Sequence, residues 1–293
     1  MPKFSVIICV YSALEPNITD AEQRHYRFKT VQRSIKSIIN QQFPDWELVI
    51  VDDGATDNTP AMLDKFAEDW NKLAENRGVP GRIKVFHKIN ENRAIGFNYG
   101  MERATGEWIC LLDSDDEYST HYLREMNQAI KEFPEYKVFN HGAIVHWPDH
   151  RTSIRPVFTP AIEGDGHEWF RSGGIGMGSF VFRRDLWANN QDKYRIPDEV
   201  NPYQFAAASK FDLRLTPETD PFQYNNTENP EGAFTDGVYR HGLSLGNAWG
   251  NDFLQFYLLT RDNHSKPLDV LLYIQYPRAH EEIYTEFGEI YES

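Results

Sequence analysis

The stretch "EWICLLDSDDE", Glu107 to Glu117, decides how the rest of the chain is read. Its apolar run, Trp108 to Leu112, passes straight into four acidic side chains within five positions: Asp113, Asp115, Asp116 and Glu117. A short continuous apolar run closed by turn residues is the pattern of a strand buried on both faces. Carboxylates packed that closely raise one another's pKa and repel, so the knot is costly unless a cation or a set of donors compensates. The acidic cluster therefore sits where a core strand emerges, and it calls for a positive partner.

Working outward, "FSVIICV" (Phe4 to Val10), "WELVIVDDG" (Trp46 to Gly54) and "RIKVFHK" (Arg82 to Lys88) read as three further strands. Between them the apolar residues switch to helical spacing, with Val31, Ile35, Ile38 and Ile39 in one helix and Leu63, Phe66, Ala67 and Trp70 in the next. Thr59 reads as the N-cap of that second helix, with Pro60 at its first position. A glycine-punctuated helix over about Ala94 to Thr105 leads through Gly106 into the opening strand, and Leu123, Met126, Ile130 and Phe133 mark a further helix ending at Pro134. Strand alternating with helix predicts an α/β fold with right-handed crossovers and a Rossmann-like, mostly parallel central sheet covered by helices on both faces. Ligands on such sheets bind beyond the carboxyl ends of the strands. Here those ends are "VYS" (Val10 to Ser12), "VDDG" (Val51 to Gly54) and "LDSDD" (Leu112 to Asp116).

The second half is less regular, and from about Gly164 to Gly250 it is rich in Gly, Pro, Asn and aromatic residues. Residues 190–240 read as an ordered excursion, because Tyr194, Tyr203, Phe205, Phe211, Phe222, Tyr224 and Phe234 give the segment material to pack. An apolar helix, "DFLQFYLLTR" (Asp252 to Arg261), and a last strand, "DVLLYIQY" (Asp269 to Tyr276), follow. With no internal repeat, the expectation is one domain over residues 1–293, made of a ligand-binding half at 1–117 and a second half at 118–293.

Composition narrows the function. With 30 Lys+Arg against 44 Asp+Glu, the net charge of −14 repels a phosphate backbone and argues against a nucleic-acid binder or a peripheral binder of anionic lipid. A small basic patch, "RHYRFK" (Arg24 to Lys29), is the exception. No run approaches the roughly 18 apolar residues of a transmembrane helix, and the N-terminal apolar stretch reads as a strand rather than a signal peptide. Cys9 and Cys110 each lie in an apolar strand, so both read as buried free thiols and the location as reducing and cytoplasmic.

Two motifs carry chemistry. Asp113 and Asp115 offer hard oxygen ligands on one side of a turn, which suits Mg²⁺ or Mn²⁺ and leaves coordination sites open for substrate phosphates; the structural alternative is a solvated acidic loop. In "IVDDGATDNT" (Ile50 to Thr59), Asp52 and Asp53 end a buried strand and Gly54 lets the backbone turn, so a carboxylate there can accept from a base edge or a ribose hydroxyl, or simply cap the turn. Neither a G-x-G-x-x-G nor a P-loop occurs, which excludes those two nucleotide cradles.

The blocks "FSVIICVYS", "SIKSIINQQFPDWELVIVDDGATDNT", "ENRAIGFNYGMERATGEWICLLDSDDEY" and, later, "GSFVFRRDLW" together resemble the successive blocks of the family-2 glycosyltransferases. The likeness runs in order from Phe4 to about Phe133 and resumes near the C-terminus. It implies a GT-A fold and a metal-dependent, inverting transfer from a nucleotide-diphosphate sugar, UDP above all, to a hydroxyl of a saccharide or other glycan. By the same resemblance Tyr11 lines the nucleobase pocket and Asp52 or Asp53 binds the base. Asp113 and Asp115, with Ser114 between them and Asp116 after, hold the Mn²⁺ or Mg²⁺ and the ribose or diphosphate, and Arg93 reaches the diphosphate. Asp252 is the expected catalytic base at a helix N-terminus, with Asn251 where the family has Glu and Asp236 as the rival. His280, in "PRAHEE", is an expected contact to the metal or diphosphate, and "SGGIGMGS" (Ser172 to Ser179) resembles the acceptor-side loop.

The chain departs from the family in two further places. Cys9 replaces a usual Pro, and Ala13 to Lys29 makes a long passage from first strand to first helix, read as a lid that brings Arg24, His25 or Arg27 to the phosphates. Four alternatives stand beside the main reading: a retaining transferase, a nucleotidyltransferase, a nucleotide-sugar or glycan binding protein without turnover, favoured by Asn251, and a scaffold in an assembly complex, whose one signal is the aromatic excursion at 190–240.

Overall fold

In the computed structural model, the residues described are 1–12, 21–76, 81–91, 93–147, 150–155, 157, 177–191 and 265–276. Four parallel strands come first: β1 (Phe4–Val10), β2 (Trp46–Asp52), β3 (Ile83–His87) and β4 (Trp108–Asp113). They are joined by α1 (Ala21–Ile39), α2 (Thr59–Asn76) and α3 (Arg93–Arg103). The two-residue strand β5 (Glu117–Tyr118), α4 (Tyr122–Glu132), β6 (Val138–His146), β7 (Thr152–Arg155), β8 (Phe180–Arg183), the short α5 (Arg184–Ala188) and β9 (Ser265–Gln275) follow. Among the described residues the strands form one nine-stranded sheet in the order β3-β2-β1-β4-β8-β6-β9-β5, with β7 against β6. The half built first is wholly parallel; the rest is mixed, since β8 runs antiparallel to both β4 and β6 while β9 is parallel to β6.

Alternation along the buried strands splits the core into two layers, as a sheet buried on both faces requires. Val6, Ile8, Leu48, Ile50, Cys110 and Leu112 face Val31, Ile35 and Ile38 of α1, Leu63 of α2 and Leu123, Met126 and Ile130 of α4. Ile7, Val49, Val51, Ile109 and Leu111 face Phe97 and Met101 of α3 and Leu186 and Trp187 of α5. The glycines noted in α3 have a packing reason. A Cβ at Gly96 would stand 2.2 Å from Cys9 Sγ, and one at Gly100 2.4 Å from Ile7 Cγ2, so the two glycines let α3 lie close on β1.

Three expectations need correction. Thr59 is the first residue of α2 rather than its capping side chain: its N–H donates to Asp57 Oδ1 at 2.9 Å, and its own hydroxyl is buried without a hydrogen bond. Asp57 wins because a carboxylate two residues upstream reaches the same orphan N–H and also accepts from Ser12 Oγ at 2.5 Å. The passage from Ala13 to Lys29 is shorter than expected, because α1 already begins at Ala21. The last strand is longer than Asp269 to Tyr276, starting at Ser265, where β6 supplies a parallel partner. No helix among the described residues is long and apolar enough to cross a membrane.

The amino ends of the parallel strands are locked by one buried carboxylate. Glu47 Oε1 accepts from Ser5 Oγ at 2.6 Å, Thr105 N at 2.6 Å, Thr105 Oγ1 at 2.9 Å and Gly106 N at 3.2 Å, while Oε2 pairs with Lys84 at 2.7 Å. Burial opposes ionisation of this group, but the bonds from Lys84, Ser5 and Thr105 prevail and hold its pKa below the ordinary 4.5. Glu47→Ala leaves these donors unanswered and is expected to destabilise the protein by about 3 kcal/mol, at the low end for a broken buried pair because Lys84 stays partly in water, as measured by urea denaturation. Because the folded pKa lies below the unfolded one, the Glu47 contribution is complete above pH 4.5 and is lost as the pH falls through the folded value. Acid titration of the wild type against Glu47→Gln reads that loss directly.

Candidate active site

Parallel pairing brings the carboxyl ends of the first strands level. Cys9 of β1 lies beside Val51 on one side and Asp113 on the other, Val10 beside Asp52, and Asp52 beside His87. The segment after β2 then rides on the segment after β1, with Asp53 N donating to Val10 O at 2.8 Å and Thr56 N to Ser12 O at 2.8 Å. Tyr11 lies at this edge and is 40% exposed. Four of the expected groups, Tyr11, Asp52, Asp53 and Asp113, are thus assembled by backbone register.

Asp52 and Asp53 are 3% and 2% exposed, and each carboxylate has partners that the sequence did not reveal. Asp52 Oδ1 accepts the Ala55 N–H at 2.9 Å, and Oδ2 lies 2.8 Å from His87 Nδ1, whose other nitrogen is 3.0 Å from Asp64. The hydrogen bond to Asp52 holds the His87 imidazole above its ordinary pKa. Asp53 Oδ1 meets Lys88 Nζ at 2.6 Å, and Asn90 Nδ2 donates to the Asp53 carbonyl at 2.9 Å. Burial pushes the Asp53 carboxyl up against the pull of Lys88. Gly54 makes this geometry, at φ +75°, in the left-handed region where glycine is strain-free.

The acidic turn follows β4, which flanks β1 on the side opposite β2. Arg93, at the start of α3, donates to Asp113 Oδ1, with its guanidinium 5.1 Å from the centre of the Phe97 ring. From the other side α1 grips the backbone of the turn: Ser34 Oγ is 2.6 Å from Asp116 O and 3.2 Å from Asp113 O, and Arg33 Nη2 donates to Asp115 O at 2.5 Å. Asp116 turns inward at 3% exposure, where its carboxylate accepts from the Tyr273 hydroxyl and, at 2.7 Å, from the Tyr276 N–H. Burial above all, then repulsion by Asp115 and Asp113, pushes the Asp116 carboxyl well above its ordinary value. Asp116 therefore joins the turn to β9, which leaves Asp113 and Asp115 as the turn's other two carboxylates.

That pair fits a hard divalent cation in chemistry, as two carboxylates on one turn beside a buried third whose pKa their charge raises. Among the described residues no group of three or more His, Cys, Asp or Glu stands together as a metal site. Asp113 and Asp115 would thus supply at most a partial shell. His280, Asp252, Asn251, Asp236 and all but the first two residues of the excursion at 190–240 lie outside the described residues. Arg33, Ser34, His87, Lys88 and Tyr273 are participants that sequence reading missed. Ser34 alone left a signal, as a polar residue inside the apolar spacing of Val31, Ile35 and Ile38.

Gly54 gives the sharpest test of this edge, because a Cβ there would lie 2.4 Å from Asn90 N and force a side chain into the left-handed region. Gly54→Ala is expected to cost more than about 1 kcal/mol in a thermal melt from backbone handedness alone.

The chain matches the model of Glycosyl transferase family 2 over residues 5–187. It is 31% identical over 135 residues to an uncharacterized glycosyltransferase of Nostoc sp. (alr2836), covering 46% of this chain and 39% of that protein. It is 29% identical over 207 residues to the uncharacterized glycosyltransferase YibD of Escherichia coli, covering 66% of this chain and 52% of that one. The chain thus spans about half or less of the length of these curated relatives. Among solved structures, S. aureus TarS 1-349 superposes with a TM-score of 0.54 at 16% identity, covering 94% of this chain and 60% of that one. The same fragment in complex with UDP-GlcNAc gives a TM-score of 0.50 at 16% identity over 97% of this chain and 61% of that one, and these likenesses show a shared GT-A architecture. With the family model covering more than half of the sequence and the strand-end carboxylates in place, the chain belongs to glycosyl transferase family 2.

Proposed function

We propose that the protein is a glycosyltransferase that moves a sugar from a nucleotide-diphosphate donor, UDP-linked, to a hydroxyl of a saccharide or other glycan with inversion at the anomeric carbon. The observation that carries this reading is the convergence of two carboxylate pairs, Asp52/Asp53 and Asp113/Asp115, on one edge of a parallel sheet in a family-2 chain. Residues 1–117 form the donor half and 118–293 the acceptor half of a single domain. The UDP preference is supported by the fold shared with TarS, which has been solved with UDP-GlcNAc.

In this reading Tyr11 packs against the nucleobase and the Asp52/Asp53 pair accepts from its polar edge. Asp113 and Asp115, with Ser114 between them, would hold a divalent cation, Mn²⁺ or Mg²⁺, and face the ribose or diphosphate of the donor, and His280 would be a further ligand. When bound, that cation supplies Lewis-acid stabilisation of the charge that builds on the departing diphosphate. Arg93 adds a fixed guanidinium beside Asp113, suited to a phosphate oxygen. Asp252 accepts the proton of the acceptor hydroxyl as its oxygen attacks the anomeric carbon, and the bond to the diphosphate oxygen breaks on the opposite side. The products are the inverted glycoside and UDP. Cys9 and Cys110 take no part: both are free, and burial pushes the Cys9 thiol up to about 12. Two free thiols, Cys110 buried and Cys9 only partly so, also suit a cytoplasmic protein.

The test is a panel of nucleotide sugars with Mn²⁺ and a mixed glycan acceptor, followed by UDP release and by NMR of the product anomer. EDTA is expected to abolish turnover and excess Mn²⁺ to restore it. Asp113→Asn and Asp115→Asn are each expected to lower kcat/KM by about 100-fold, the scale of losing preorganised charge stabilisation. Asp252→Asn should stop transfer while UDP still binds. Turnover that survives exhaustive metal removal would overturn the metal-dependent mechanism, and a retained anomeric configuration would overturn inversion.

A further inference from the structure

α1 reaches the acidic turn through two consecutive residues with different surroundings. Ser34 is buried and holds the carbonyls of Asp113 and Asp116. Arg33, with a side chain 29% exposed, stands where three parts of the chain meet. Its Nη2 donates to the Asp115 carbonyl at 2.5 Å, its Nε lies 3.2 Å from Glu117 Oε1 as an ion pair, and its guanidinium carbon sits 3.7 Å from the centre of the Tyr276 ring. Tyr276 closes the circuit, because its hydroxyl donates to the same Glu117 Oε1 at 3.0 Å and its N–H donates to Asp116 Oδ1 at 2.7 Å.

The backbone carbonyl bound by Arg33 belongs to Asp115, whose side chain is one of the two carboxylates assigned to the cation, so its position controls where that carboxylate stands. The planar guanidinium suits this junction, since it can stack on a phenol ring and donate in its own plane at once, which an ammonium cannot. The Nε contact to Glu117 is one of charge without hydrogen-bond geometry, which leaves the carbonyl bond and the stacking as the directional elements.

We propose that Arg33 is a positioning residue for donor binding: clamped between the Asp115 carbonyl, Glu117 and the Tyr276 ring, it holds the acidic turn in its metal-binding shape and ties that shape to the end of β9. Arg33 touches no reacting atom and acts through Asp115. The inference rests on the assignment of Asp113 and Asp115 as cation ligands. A purely architectural Arg33 would lower the melting temperature and leave ligand affinity at low temperature unchanged, whereas a positioning residue moves the affinity itself.

The experiment measures Mn²⁺ binding by electron paramagnetic resonance, with UDP and separately with GDP present, in the full chain well below its melting temperature. Melting curves are recorded alongside. Arg33→Gln is expected to weaken nucleotide-dependent Mn²⁺ binding by about tenfold, the usual scale for removing a group that orients a metal ligand. In the enzyme assay it should raise the donor KM more than it lowers kcat. Tyr276→Leu should act in the same direction, and the double variant should be no weaker than the stronger single one, because both changes open one circuit. Arg33→Lys, which keeps the charge, covers the case in which Arg33→Gln fails to fold, and it should recover only part of the affinity. Unchanged Mn²⁺ affinity in a folded Arg33 variant, or losses that simply add in the double variant, overturns the positioning role. A wild type that binds no Mn²⁺ with either nucleotide removes the cation assignment, and the inference with it.

Discussion

Register in the parallel half of the sheet is the constraint on which the site depends. β1 pairs with β2 on one side and β4 on the other, with Cys9 level with both Val51 and Asp113 and Val10 level with Asp52. A slip of one residue would turn every side chain of a strand to the other face. Here that would exchange Ile7 and Val49 of one core layer with Ile8 and Ile50 of the other. Burial on both faces thus fixes the register, and the register fixes the distance between the two carboxylate pairs. Glu47 at one end of the strands and the carboxylates at the other divide the labour: the first closes the fold, and the others emerge from it.

At the functional edge, most acidic groups are given partners before any ligand arrives. His87 meets Asp52, Lys88 meets Asp53, Arg93 meets Asp113, and Asp116 is taken up by Tyr273 and Tyr276. These contacts answer the cost of packing so many carboxylates at a strand end, which Coulomb repulsion and burial would otherwise push toward protonation. They also assign different work to neighbouring aspartates. Asp116 is structural in its contacts, bound to β9 across the sheet, whereas Asp113 and Asp115 belong to the turn whose carbonyls α1 holds.

Much of this was legible in the chain. The apolar runs gave β1 to β4, helical spacing gave α1, α2 and α4, a glycine-punctuated stretch gave α3, and the turn chemistry after each strand pointed to the ends that carry Tyr11, Asp52, Asp53 and Asp113. The misreadings have local causes. Thr59 looked like a cap because Ser and Thr commonly cap, but Asp57 lies close enough to take the same N–H. The start of α1 was hidden because a helix rich in charged and polar residues carries little apolar signal in its first turns. The partners His87, Lys88 and Arg33 carried no pattern at all, since a cation on a strand end or a helix face looks the same in sequence whether it is solvated or paired.

By itself the sequence determined the alternation of elements, the two-faced core and the presence of acid at the strand ends, because periodicity and turn preference are local properties written over a few residues. Only the tertiary structure decided which aspartate turns inward and what holds each of the others. Tyr273 and Asp116 are 157 positions apart, Ser34 and Asp116 82, and Arg93 and Asp113 20. Such pairings come from crossover handedness, strand order and close helix packing rather than from any local pattern.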